Sequence, residues 1–109
     1  MKKEEEQKIQ QLQLMEQSMQ NLLMQKQNFQ AQHMEIDSAL DELEKTNSAY
    51  KIVGNIMVSA EKSELKEDLK KKREIVDIRI KSIEKQEAHI REKATKLQEE
   101  VLQKLKKEG

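Results

Sequence analysis

The sequence predicts a mainly α-helical protein, a long antiparallel two-helix coiled coil whose arms are joined by a short β-hairpin. Three observations predict it. Of the 109 residues, 39% are charged and only 2% aromatic, with no proline and only two glycines. That is the composition of long helix and coiled coil, and it leaves too little apolar mass for a large conventional core. Apolar residues recur in alternating steps of three and four through both ends of the chain. A central break is instead rich in short-range β signals.

The same composition excludes several functions. Without cysteine there is no disulfide framework, thiol nucleophile or Cys-based zinc site. Lys plus Arg and Asp plus Glu both number 21, so the formal charge is zero, and nothing draws the chain generally to nucleic acid or anionic membrane. No apolar run approaches the roughly 20 residues of a membrane span. No signal-type apolar stretch follows the opening Met1-Lys2-Lys3-Glu4-Glu5-Glu6. The expected compartment is the cytoplasm.

The first segment, 1–46, reads as the N-terminal helix. Leu12, Met15, Met19, Leu22, Lys26, Phe29, His33, Ile36, Leu40 and Leu43 fall on successive seam positions, interrupted only by Lys26 and His33. A mean step of 3.5 residues is the heptad of a helix that supercoils with a partner. Thr46, Asn47 and Ser48 are poor helix formers and should end it.

The middle, 47–60, reads as a hairpin. Tyr50 to Val53 and Ile56 to Ser59 are strand-like, and Gly54-Asn55 suits a II′-type two-residue turn. Tyr50, Ile52, Val53, Ile56, Met57 and Val58 make it the most apolar stretch of the chain. Alternation sends some of these to each face, and one helix pair cannot cover both. An isolated two-stranded sheet is marginal in water, so the hairpin is expected to complete its sheet with other subunits.

The third segment, 61–109, repeats the heptad at Leu69, Arg73, Val76, Ile80, Ile83, Glu87, Ile90, Ala94, Leu97, Val101 and Lys104. Ser63 is the expected cap of this helix. Acid-first pairs four apart, such as Asp77–Lys81, Glu87–Arg91, Glu92–Lys96 and Glu100–Lys104, are expected to support it along its own axis. Folded back, the two seams stay in register, with Leu40 opposite Leu69, His33 opposite Val76, Met19 opposite Ile90 and Leu12 opposite Leu97. Lys26 and Glu87 come close enough to pair, His33 reads as a solvated, tolerated seam residue, and His89 falls on the outer face.

Some apolar residues lie off the seam. Ile9, Leu14, Leu23, Met24, Leu102 and Leu105 all fall in the half distant from the hairpin, where a finished two-stranded coil carries polar residues. Grouped apolar exposure there suggests a contact surface. Met15, Met19 and Met24 give it an adaptable character suited to varied partners. Met34, Ile75 and Ile78, nearer the hairpin, are weaker candidates for contact with a neighbouring subunit. No Gly-rich phosphate loop, carboxylate pair in a pocket or histidine cluster is present, so no enzyme activity, cofactor or metal is expected.

Tyr50-Lys51-Ile52-Val53-Gly54-Asn55-Ile56-Met57-Val58 resembles the hairpin signature of the beta-type prefoldin subunits, in their archaeal form. Ala39-Leu40-Asp41-Glu42-Leu43-Glu44 resembles that family's approach to the hairpin, and Leu69 and Ile83-Glu84-Lys85-Gln86-Glu87 its exit. Thr46-Asn47-Ser48 departs from the Pro- or Asp-rich link frequent there. The resemblance implies that the hairpin, with Tyr50, Ile52, Val53, Gly54, Ile56, Met57 and Val58 as oligomerisation residues, joins an intersubunit β-barrel. It implies a hetero-hexamer of two alpha-type and four beta-type subunits. The hexamer is an ATP-independent holding chaperone that passes unfolded clients to a group II chaperonin. Client contact would fall to the distal tips, at Ile9, Leu12, Leu14, Met15, Met19, Leu23, Met24, Val101, Leu102 and Leu105. Lys104, Lys106 and Lys107 are candidates for an acidic chaperonin surface. The alternative is a structural coiled-coil adaptor that binds one specific folded protein.

Overall fold

The structure, a computed structural model, describes residues 3–108. Met1, Lys2 and Gly109, which the predicted segments include, lie outside the described residues. Four elements follow in order: helix α1 (Lys3–Lys45), strand β1 (Ala49–Val53), strand β2 (Ile56–Ala60) and helix α2 (Lys62–Glu108). With no proline or internal glycine in either helical stretch, nothing interrupts the i→i−4 ladder.

α1 ends where its helix formers do. The Thr46 hydroxyl donates to the Ser48 carbonyl at 3.1 Å and accepts from the Ser48 N–H at 3.2 Å. This local bonding competes with the helix and turns the chain out of it. The strands each run one residue longer at the outer end than the sequence predicts. They pair antiparallel from Ala49↔Ala60 to Val53↔Ile56. Gly54 has φ 63°, and among the described residues no non-glycine residue has positive φ. Positive at the first central residue and not at the second is the sign pattern of the expected II′ turn.

The cap of α2 differs from expectation. Pairing carries β2 through to Ala60, leaving Glu61 as the single junction residue, and the Leu65 N–H donates to the Glu61 carbonyl at 3.1 Å. Glu61 therefore starts the ladder, and Ser63 lies inside the first turn rather than capping it.

The molecule divides into two units. One comprises the residues up to Lys26 and those from Lys81 onwards; the other is Gln27–Ile80. In each, segments of α1 and α2 pack antiparallel along the predicted seam. Every seam position named from the sequence is buried or half-buried, and the apolar residues most withdrawn from solvent are Leu22, Leu43, Val76, Ile83 and Val101.

The charges flanking the seam act across it more than along it. In the first unit Lys26 Nζ meets Glu87 Oε1 at 2.7 Å, as expected, and Lys8 meets Glu100 at 3.0 Å. In the second, Arg73 meets Asp37 at 3.1 Å, and Lys66 pairs with Glu44. Lys66 holds the Glu44 carboxyl below the usual carboxylate range. Of the along-helix pairs expected on α2, only Glu92–Lys96 is formed among the described residues, at 3.9 Å. Glu87, Asp77, Glu100 and Lys104 turn to the other helix instead. Glu87 there meets an ammonium that is already partly desolvated, a stronger interaction than an exposed i,i+4 pair.

Candidate functional site

The hairpin is one of two surfaces left unfinished by the chain's own folding. Successive side chains alternate between faces. Together with the register, this puts Tyr50, Ile52, Met57 and Ser59 on one face and Lys51, Val53, Ile56 and Val58 on the other. Tyr50 and Met57 line a groove of about 440 Å³ with Ala39, Leu43, Leu65 and Leu69, so this face turns to the helix ends. Coverage is incomplete even there, with Ile52 70% exposed. On the opposite face Val53, Ile56 and Val58 are exposed as well. Among the described residues the sheet holds β1 and β2, so each strand has an unpaired edge. Gly54 brings no contact of its own: an added side chain would meet nothing within 4 Å, so its role is the turn.

The second surface belongs to the first unit. Ile9, Leu12, Met15 and Met19 of α1 line a groove of about 410 Å³ with Ile90 and Ala94 of α2, edged by Gln13, Glu16, Arg91 and Gln98. Four candidate contact residues are thus brought together. Ile90 and Ala94 were assigned only to the seam by sequence reasoning, although the pairing of Met19 with Ile90 already placed them beside the groove. Leu14 stands apart against Gln10, Gln13 and Gln17. Leu14 and Met24 are more than three-fifths exposed, and Leu23, Leu102 and Leu105 are also exposed without lining this groove. Val101 is placed differently: at 7% exposure it fills the seam, and it reaches a partner only if the arms separate. Leu12, Met15 and Met19 are half-buried, each with one side in the seam.

The basic end is similarly divided. Lys104 Nζ donates to Glu4 Oε2 at 3.0 Å and lies 3.2 Å from Glu5 Oε1. Those bonds, to Glu4 first and then Glu5, push its ammonium above the usual lysine value. Glu5 is fully buried beside it, so the seam extends one heptad beyond Leu12 as Glu5 and Lys8, an extension the apolar pattern could not mark. Lys104 is therefore engaged within the chain, whereas Lys106 and Lys107 are exposed. Among the described residues no group of three His, Asp or Glu side chains is arranged to hold a metal ion. Among the described residues no helix is long and apolar enough to cross a membrane.

Two long helices around one hairpin is a fold shared with a solved structure. Residues 6–108 match the family model of a prefoldin subunit. The chain belongs to the prefoldin family. Among its prefoldin relatives, the prefoldin subunit beta of Methanospirillum hungatei is 40% identical over 96 residues, covering 85% of this chain and 80% of the relative. That of Pyrobaculum calidifontis is 35% identical over 92 residues, covering 82% and 74%. That of Archaeoglobus fulgidus is 33% identical over 96 residues, covering 85% and 83%. The crystal structure of the prefoldin beta subunit from Thermococcus strain KS-1 superposes with a TM-score of 0.91 at 30% identity, covering 95% of this prefoldin chain and 94% of that one.

Proposed function

We propose that the chain is the beta-type subunit of a hexameric prefoldin, an ATP-independent holding chaperone that captures unfolded proteins and transfers them to a group II chaperonin. The carrying observation is that apolar side chains stay exposed in two separate places on a chain of this family. Those on the hairpin, Tyr50, Ile52, Val53, Ile56, Met57 and Val58, accompany two unpaired sheet edges. Strand addition by other subunits, two alpha-type and four beta-type in all, would pair those edges and close β-barrels. Those of the first unit, Leu14, Leu23, Met24, Leu102 and Leu105, stand exposed in addition to a groove lined by Met15 and Met19. Weak, adaptable contacts repeated on several arms suit clients without a fixed shape, because avidity replaces a specific pocket. Lys106 and Lys107 remain available for an acidic chaperonin surface.

The test is reconstitution with an alpha-type subunit. Deleting residues 1–14 and 101–109 of the beta chain should leave hexamer formation intact and abolish suppression of aggregation of unrelated denatured proteins. Undiminished suppression would overturn client capture at the arm ends. Stoichiometric binding of one folded protein, with no protection of denatured ones, would replace the chaperone by an adaptor.

A further inference from the structure

The Gln27–Ile80 unit carries a groove of about 470 Å³ on one side of its helix pair. Its apolar lining is Phe29 and Ile36 of α1 with Ile75 and Val76 of α2, and its cations are Lys72 and Arg79. Ile75 lies off the seam and is 56% exposed. Arg73 and Lys66 are the cations that this unit pairs across the seam. Lys72 and Arg79 are left exposed, with no ion pair among the described residues.

The same unit carries a complement to the groove. Met34, Glu35, Ser38, Asp41 and Glu42 recur at helical spacing and share the outer face of α1. All five are exposed, and the three carboxylates have no ion pair among the described residues. Glu35 and Glu42 are seven residues apart, as are Lys72 and Arg79, so each pair spans roughly 10.5 Å of helix axis. Ser38, a small residue, lies between the two acids, and the protruding Ile75 lies between the two cations. The heights also agree. Arg73 meets Asp37, and His33 lies 3.0 Å from Asp37 through Nδ1 and 3.0 Å from Asp77 through Nε2. These contacts set the groove level with residues 33–37 of α1, where the acidic face begins.

We propose that the groove docks a second copy of this chain: Ile75 of one subunit packs on Met34 and Ser38 of the next, and Lys72 and Arg79 meet Glu35 and Glu42. Groove and complement are different surfaces, so the contact is heterologous and passes from copy to copy. The inference rests on the hexamer proposed above, in which four of six subunits are copies of this chain and must adjoin. It adds an arm-to-arm contact to the strand pairing of the hairpins. Glu42, which also borders the groove of Tyr50 and Met57, joins the two surfaces. The four charges set the register more than the affinity, because exposed pairs add little energy but penalise misplacement. An unfolded client has no fixed spacing of acids to match the two cations, whereas this chain has one.

The chain has no cysteine, so introduced ones report the contact. Ser38→Cys and Ile75→Cys chains are mixed, reconstituted with an alpha-type subunit and treated with a short bismaleimide. A covalent dimer of the two variants is expected. Ser38→Cys mixed with Lys70→Cys, on the opposite side of α2 from Lys72, should give severalfold less. Lys72→Glu with Arg79→Glu should cut the first yield severalfold, and adding Glu35→Lys with Glu42→Lys should restore it. All these positions are exposed, so helix content should match the wild type throughout. A hexamer in which the Ser38→Cys and Ile75→Cys mixture yields no more than the control overturns the proposal and leaves the groove to the alpha-type subunit or to clients. Charge reversal without rescue overturns it too. Failure of the wild type to form any hexamer overturns the proposed assembly instead. The crosslink is then read on the chain alone, where its presence sustains the copy-to-copy contact and its absence overturns it.

Discussion

Single residues on the seam differ in kind. Leu22 and Ile83 stabilise by losing water contact, about 25 cal/mol for each square ångström of apolar surface removed. Lys26 and Glu87 stabilise conditionally. Glu87 is only 6% exposed, and its carboxylate is tolerable because Lys26 donates to it at 2.7 Å. Removing the lysine leaves a desolvated charge, and removing both leaves a filled apolar site. Lys26→Ala should therefore cost about 2–3 kcal/mol, while Lys26→Met combined with Glu87→Leu should fall within about 1 kcal/mol of wild type or above it. Urea unfolding of the three chains checks this, and a double variant no more stable than the single one contradicts it. The pair could be foreseen from spacing alone, because both residues occupy seam positions that face each other. The His33 contacts could not. Heptad position marks the ring as lying at the interface, but which carboxylates reach its two nitrogens depends on the rotamers of Asp37 and Asp77.

At the scale of elements, the hairpin is the part least supported by its own chain. Its turn depends on a backbone conformation at Gly54 that a β-branched side chain resists, at about 1–2 kcal/mol, even with open space around it. Gly54→Val should speed amide hydrogen exchange at Lys51 and Val58, which exchange N–H···O bonds across the hairpin, more than Gly54→Asn does, since asparagine accepts positive φ more readily. Equal exchange in the two variants would mean that the turn is set by something other than glycine. The exposed face raises a different question. Val53→Asp or Val58→Asp should leave the helix content of the free chain unchanged, because neither side chain is buried, yet prevent hexamer formation with an alpha-type subunit. Size-exclusion chromatography reads the outcome, and a hexamer of normal size would remove the hairpin from the assembly surface. Strand limits were nearly legible in the sequence: alternation and Gly54-Asn55 located the turn, while pairing of Ala49 with Ala60 lengthened each strand by one residue. That extra pair also displaced the cap from Ser63 to Glu61.

For the whole molecule the deciding quantity is surface. Among the described residues large apolar side chains stay exposed in each unit, Leu14 and Met24 in one and Ile52 and Ile56 in the other. Replacing Leu14, Leu23, Met24 and Leu102 together by glutamine should leave thermal unfolding within a few degrees of wild type, because these side chains contribute little to the fold. It should still lower suppression of client aggregation severalfold. Light scattering of a denatured client with the reconstituted complex measures it. Full suppression by this variant would move client contact to the groove of Ile9, Met15 and Met19 alone.

The sequence by itself determined the fold class, the antiparallel register, the hairpin with its turn, and the family. All of these follow from local propensity and from a periodicity of 3.5 residues that only one face-to-face arrangement satisfies. Tertiary structure decided which residues remain available. Periodicity says which side of a helix is apolar, but not how far the partner helix covers it. Val101 is sealed in the seam while Leu102 beside it stands open, and Lys104 is held by Glu4 and Glu5 while Lys106 and Lys107 are free of them. The charged partners were decided at the same level. Glu87 and Glu100 each had a cation one turn along their own helix and each found one on the opposite helix, while Asp77 meets His33 there; for Glu87, burial makes the interaction stronger.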